Sequence, residues 1–357
     1  MESIKQWLSR LLSNPEALAL MGTLLVGLLV IIWVGDVLSP VLASLVIAYL
    51  LEGMVAKFES LGAHRKWAVI GSFGLFMALL AYMVFGLIPL LSIQTVQLAQ
   101  QLPHMLNQGI DLFMALPEKY PEFISAEQVQ VIFAQVSSEV VKFGQGLLSL
   151  SASSVLNIVA LIIYLLLVPM MVFFFLMDKA LITAWFSSFL PSKRRLTKEV
   201  WATVNQQIAN YVRGKAWEIL IVWVACFIAF SLLGLKYAVL LSFLAGLSVL
   251  VPYVGATVVT IPVLLVAYVQ WNWGNEFLYL TTVYLIIQAL DGYVLVPLLF
   301  SEVVNLHPVA IIVAILFFGG IWGFWGVFFA IPLATLVQAV MVAWPTRHDI
   351  NAIDPTN

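Results

Sequence analysis

Charge is the scarcest thing in this sequence: 10% of its residues are Asp, Glu, Lys or Arg, against about a quarter in soluble domains. With 63% hydrophobic residues and a mean hydropathy of +1.05, that shortage excludes an ordinary soluble protein and leaves a polytopic membrane protein. Cysteine is nearly absent as well. Cys226 stands alone, which excludes a disulfide framework and a thiolate metal cluster. The four histidines, His64, His104, His307 and His348, are scattered, and none pairs at the spacing of a helical zinc site, so no metal and no cofactor is expected. There is no GxxxxGK(S/T) phosphate loop to hydrolyse ATP, and no HExxH, GxSxG or plausible aspartyl pair for intramembrane proteolysis. An enzyme is therefore not expected, nor is a nucleic-acid partner.

What is present is a series of long apolar runs separated by short polar joints. Glu16 to Val34 is long enough to span about 30 Å of hydrocarbon. It is too long for a signal-peptide core, and no small-residue cleavage site follows it. After Gly35–Pro40 the run Val41 to Leu51 returns, ending at Glu52. Trp67 to Leu91 is a further span with Pro89 near its end. From Ser92 to about Ser151 the pattern becomes intermittent, with Pro103, Pro117, Pro121 and an acidic excess. Two stretches there have helical periodicity, Val96 to Ile110 and Val129 to Phe143, and read as amphipathic helices outside the membrane. Val155 to Met177 spans again.

Between Lys179 and Lys215 lies the densest basic cluster, including Lys193, Arg194, Arg195, Lys198 and Arg213. By the positive-inside rule this loop, the N-terminus and residues 53–66 are cytoplasmic and 92–151 is on the opposite side. Leu196, Val200, Val204, Ile208 and Val212 repeat every fourth residue, giving an amphipathic cytoplasmic helix that leads into the span Trp217 to Leu233. The expected organisation is 1–91 N-terminal transmembrane helices, 92–151 periplasmic amphipathic segment, 152–178 transmembrane helix, 179–216 cytoplasmic amphipathic helix, 217–345 transport core and 346–357 cytoplasmic tail. The fold class is all-α and polytopic, with about eight hydrophobic helices including broken or re-entrant segments and amphipathic helices on both membrane faces.

The C-terminal third is the most heavily punctuated. Ala238 to Leu250 and Thr257 to Val269 are short for full spans and flank Val251-Pro252-Tyr253-Val254-Gly255. Gln288-Ala289-Leu290-Asp291-Gly292-Tyr293 closes one apolar run, and Pro297 interrupts the next. Glu302, Asn305 and His307 precede Pro308, and Gly319, Gly320, Gly323, Gly326 and Pro332 follow. Regions 238–269 and 308–340 share a plan: short helix, Pro or Gly break with an aromatic, then a helix carrying Ile-Pro. Repeated broken helices point to a transport site near the bilayer midplane.

Ionisable groups in hydrocarbon are costly and are kept for a purpose. Asp291 is the leading candidate for coupling or substrate contact, with Gln288 beside it; its alternative role is an interfacial helix cap next to Gly292. Glu302, Asn305 and His307 form a second polar cluster or a solvated hairpin tip. Pro252, Tyr253 and Gly255 would leave carbonyls unpaired to ligate a cation or solute, or form a plain turn. Gly319, Gly320, Gly323, Gly326 and Pro332 serve as a hinge or as close-packing positions. Asp178 and Arg213 sit at the cytoplasmic interface and are a candidate pair.

Taken together, Phe173 to Asp178, Leu190-Pro191, Tyr211-Val212-Arg213-Gly214-Lys215, Val251 to Gly255, Asp291 to Pro297, Leu306-His307-Pro308 and Gly319-Gly320 to Pro332 resemble the AI-2E family, whose members are autoinducer-2 exporters and related permeases. Glu302 to Pro308 and Gly320 to Gly326 are most like its PerM branch. The resemblance implies a bacterial inner-membrane transporter, a homo-oligomer (a pentamer) and no prosthetic group. The expected function is secondary transport of a small polar solute or signal molecule by alternating access, with Na⁺ or H⁺ as a possible coupling ion. Sodium/proton antiport is the alternative within that class. A membrane scaffold that binds an envelope partner through 92–151 is the alternative outside it.

Overall fold

The computed structural model of the chain describes residues 37–119, 155–188, 195–252, 254–300 and 306–343, together with isolated positions between 22 and 35 and between 131 and 146. All regular structure among the described residues is helical: α1 Ser39–Ser60, α2 Arg65–Tyr82, α3 Ile88–Lys119, α4 Val155–Met177, α5 Lys179–Ser188, α6 Arg195–Leu232, α7 Ala238–Ser248, α8 Val254–Trp271, α9 Asn275–Leu290, α10 Val296–Phe300, α11 Pro308–Phe328 and α12 Ala330–Ala343. Two π turns, Met83–Leu87 and Asp291–Leu295, join α2 to α3 and α9 to α10 without ending the helix. Among these residues six helical stretches are long and apolar enough to cross a membrane, and the pair α4–α5, bent by 84° at Asp178, makes a seventh if counted as one span. The expected all-α polytopic membrane architecture is what is found. The Glu16–Val34 run, the Val129–Phe143 periodicity and the 346–357 tail lie outside the continuously described residues.

The chain divides into two compact units. One comprises residues 1–73, 164–216 and 298–357; the other comprises 74–163 and 217–297. In the first, α1 does not stop at Glu52 as its apolar run suggests but continues to Ser60. A charge need not end a helix when it is neutralised, and Glu52 meets Lys179 at 2.8 Å and Arg65 at 3.4 Å. Arg65 also donates to the Leu176 carbonyl at 2.9 Å, satisfying one of the acceptors that the end of α4 leaves without a helical donor. The sequence Tyr211-Val212-Arg213-Gly214-Lys215 packs a second junction of this unit. The Tyr211 hydroxyl donates to the Phe328 carbonyl at 2.9 Å at the end of α11. Gly214 admits α10 so closely that a Cβ there would sit 2.8 Å from the Phe300 ring, and the Lys215 ammonium lies over that ring.

In the second unit, the helix expected to break near Pro89 runs on. A proline has no N–H to give the carbonyl four residues back, and its ring crowds that carbonyl. The π turn Met83–Leu87 absorbs the mismatch, with Ile88 N–H bonding the Met83 carbonyl. The helical stretch Arg65–Met105 runs on for 41 residues. The boundary expected at residues 91/92 therefore falls inside a helix, and the Val96–Ile110 periodicity belongs to the continuation of that helix. Gln94 on α3 accepts from Leu240 N–H at 2.9 Å, supplying an acceptor to the N-terminus of α7 that Tyr237 does not cap. Gln270 ties the preceding loop, accepting from Lys236 N–H and donating to the Gly234 carbonyl. Helix α8 covers 18 residues through Pro262, long enough to be a span where its apolar run alone looks short. The core of this unit lies where α6, α7, α8 and α9 meet, around Cys226, Phe230, Leu241, Val263, Leu280 and Tyr284.

Candidate functional site

Residues three, seven and ten apart on a helix share a face. On α9 and its π turn, Thr281, Tyr284, Gln288 and Asp291 have that spacing. Tyr284 is fully buried; its hydroxyl accepts from Thr260 Oγ1 of α8 at 3.3 Å, and its ring lies 5.8 Å from that of Phe230. Asp291 is near enough to the buried Cys226 thiol to act on it electrostatically. The facing stripe of α6, Glu218, Val222, Cys226 and Phe230, repeats every fourth residue, and each member is 2% exposed or less. Two amphipathic faces thus turn polar groups inward within otherwise apolar helices.

Several of those groups are held at a cost. Gln288 Nε2, Thr281 Oγ1 and Trp223 Nε1 are buried with no hydrogen-bond partner among the described residues. A buried polar atom left unmatched costs about 1–3 kcal/mol. The π turn adds acceptors: Val296 N–H bonds the Asp291 carbonyl five residues back, and Pro297 has no N–H at all. The Gly292 and Tyr293 carbonyls are thereby deprived of their usual helical donors beside the Asp291 carboxylate. Such a face can hold a hydroxylated or amide-bearing solute, or a cation through oxygen.

Other candidate residues are placed elsewhere. His307 lies in the other unit, where it is exposed and caps α11, its Nδ1 accepting from Val309 N–H at 3.3 Å. Glu302, Asn305 and Tyr253 lie outside the described residues. Among the described residues of the turn at Pro252, the Ser248, Val251 and Pro252 carbonyls accept from Val251, Gly255 and Val254 in turn, as in the plain-turn alternative. Gly255 is instead a contact position, since a Cβ there would run into the Ser248 carbonyl. Gly326 repeats this against the Phe318 carbonyl, and Gly319 against Val327. Gly323 takes φ 56° and makes the kink in α11. Gly320 has open space around it, and Pro332 is buried in α12. Arg213 does not pair with Asp178 among the described residues; it donates to the Ala209 carbonyl and to Asn210 Oδ1, and its stem packs against Gly53. Asp178 marks the bend between α4 and α5.

Sequence reasoning passed over Glu218, Cys226 and the Thr260–Tyr284 pair. Glu218 carried a usable signal, being the one acid in the apolar run from Trp217 to Leu233. The other two carried none, because a cysteine, a threonine or a tyrosine in a membrane helix is cheap enough to be unremarked.

Comparison with known proteins adds the following. The model of the AI-2E family transporter matches residues 21–346. The Escherichia coli K12 protein named "Putative permease PerM" is 44% identical over 345 residues, covering 97% of this chain and 98% of that protein. "Putative transport protein YueF" of Bacillus subtilis is 25% identical over 87% of this chain and 84% of its own length. "Putative transport protein YrrI" of the same organism is 23% identical over 85% of each.

Proposed function

The chain belongs to the AI-2E transporter family, and from that premise we propose that it is a secondary permease of the bacterial inner membrane that moves a small polar solute by alternating access. The observation that carries this reading is Asp291. It stands 16 residues after Asn275 and 9 before Phe300 within an apolar stretch of spanning length, on the face that also carries Thr281, Tyr284 and Gln288. A scaffold has no use for a carboxylate and partnerless amide at that depth, whereas a solute path requires them. The oxygen-rich π turn supports a related reading, exchange of Na⁺ for H⁺, since carboxylate and carbonyl oxygens are the ligands a hard cation takes. Homo-oligomeric assembly is part of the proposal and rests on the family resemblance.

The test is flux in proteoliposomes across a panel of labelled small polar solutes and Na⁺, under imposed proton and sodium gradients. The wild-type protein is expected to move at least one of them. Asp291→Asn is expected to lower that rate about 100-fold, a barrier change of ~2.7 kcal/mol, with expression and assembly unchanged. Wild-type rates from the Asn variant would remove Asp291 from the path.

A further inference from the structure

We infer that Glu218 is a proton-binding residue of this same path and that its protonation is linked to solute movement. The inference rests on the transport reading above and adds to it the identity of a coupled ion. Glu218 is 2% exposed and is the second residue of the apolar run Trp217 to Leu233, one turn after Lys215, in the helical stretch Asn205–Leu232. A carboxylate so placed exists either protonated or balanced by a specific partner, and a change in its surroundings moves it between the two states by taking up or releasing one proton. Its stripe on α6 also carries Cys226, whose thiol feels the charge of Asp291, and Phe230, whose ring lies 5.8 Å from that of Tyr284, so Glu218 sits about two turns along the same buried stripe from the face proposed for the solute.

Helix α7 packs closely on this part of α6: a Cβ at Gly246 would come within 2.9 Å of the Ile219 carbonyl and 2.6 Å of Trp223 Cβ. It brings no titratable group of its own, having the sequence AVLLSFLAGLS. The titratable groups on the surrounding elements are Arg213 and Lys215 before it and Cys226 two turns on along α6, Asp291, Tyr293, Tyr284, Tyr279 and Glu276 on α9 and its π turn, Tyr268 on α8, and His104, Asp111 and Glu118 on α3, whose Met105 joins the same core. Of the carboxylates, Glu276 is in the first turn of α9 and Asp291 opens the π turn. Movement of α7 relative to α6 would change the surroundings of Glu218 directly, so a helix motion and a proton transfer become one event.

Two arms test this with the full chain in lipid. Infrared difference spectroscopy over a pH titration reads the C=O stretch of a protonated buried carboxyl without any solute. The wild type is expected to show a titrating band that Glu218→Gln removes and Glu218→Asp shifts. A band that persists in Glu218→Gln, or no titrating band in the wild type, overturns the proton site. The second arm is the flux panel. With an imposed pH gradient Glu218→Gln is expected to lose at least about 10-fold of the driven flux, and Glu218→Asp is expected to restore driven flux with a displaced pH profile. Driven flux at the wild-type level in Glu218→Gln overturns the coupling. If no solute moves with the wild type, the transport reading falls and the infrared arm alone decides the fate of Glu218 as a proton site. Should Glu218→Gln fail to assemble, Glu218→Asp takes its place: an unshifted band overturns the proton site, and an undisplaced pH profile overturns the coupling.

Discussion

The two π turns of the second unit solve one backbone problem with different chemistry. Met83-Val84-Phe85-Gly86-Leu87 is followed by Ile88-Pro89-Leu90-Leu91, and Asp291-Gly292-Tyr293-Val294-Leu295 by Val296-Pro297-Leu298-Leu299. In both, the proline is the second residue of the resumed helix, and the extra residue per turn moves the strained carbonyl out of its way. The first turn is apolar throughout. The second opens on a carboxylate, and three residues earlier it has Gln288 where the first has Leu80. The break itself is therefore not the functional signal. A broken membrane helix becomes a candidate site when the loosened carbonyls stand beside a group that can hold charge.

The proline pair offers the hardest way to break this comparison. Pro297→Ala restores an N–H and permits a regular α-turn, which withdraws acceptors from beside Asp291. Flux is expected to fall about 10-fold, or ~1.4 kcal/mol in barrier, while Pro89→Ala, making the same backbone change beside Met83, is expected to leave flux within about 2-fold. Equal losses from both would mean that the π geometry matters only for folding.

Gln288 sharpens the contrast next. Its Nε2 has no partner among the described residues, so Gln288→Leu, which copies Leu80, removes an unmatched buried donor and is expected to leave thermal stability unchanged or raised by up to about 1 kcal/mol. Solute flux, measured on the same preparation, is expected to drop several-fold. A loss of stability together with flux would assign Gln288 to packing.

The glycines of the two turns provide the smallest effect. A Cβ at Gly292 meets nothing within 4 Å, and one at Gly86 meets the Tyr82 ring at 3.4 Å, an ordinary contact. Gly86→Ala and Gly292→Ala are each expected to shift thermal unfolding by no more than about 1 kcal/mol, in the stabilising direction, as alanine is the better helix former. A destabilised Gly292→Ala alone would show that the second turn needs glycine for a shape other than the one observed.

Much of the fold is legible in the sequence because hydropathy and helix punctuation are local quantities. The spans, the end of α4 at Met177 and the plan common to 238–269 and 308–340 follow from runs and breaks along the chain. Even that repeat acquires its meaning in three dimensions: Gly255 and Gly326, candidates for unpaired backbone and hinge, are both places where a helix leans on a carbonyl seven or eight residues back. Glu52 and Pro89 look like helix ends along the chain and are not, for the converse reason. Neither residue terminates a helix if a partner charge or a π turn compensates it, and Lys179, 127 residues away in sequence, is invisible to any local window.

Composition placed the chain in a membrane, with 10% charge and 63% hydrophobic residues, and its unbroken apolar runs of spanning length chose helices over a closed barrel, the other structure that satisfies backbone groups in hydrocarbon. Its prolines and glycines decided where those helices must yield. Which polar side chains face one another was decided by packing. Asp291 could be noticed from its cost, but that it acts on the buried Cys226 of α6 depends on how α6 and α9 are rotated about their axes, and rotation is set by the partner helices that each one touches.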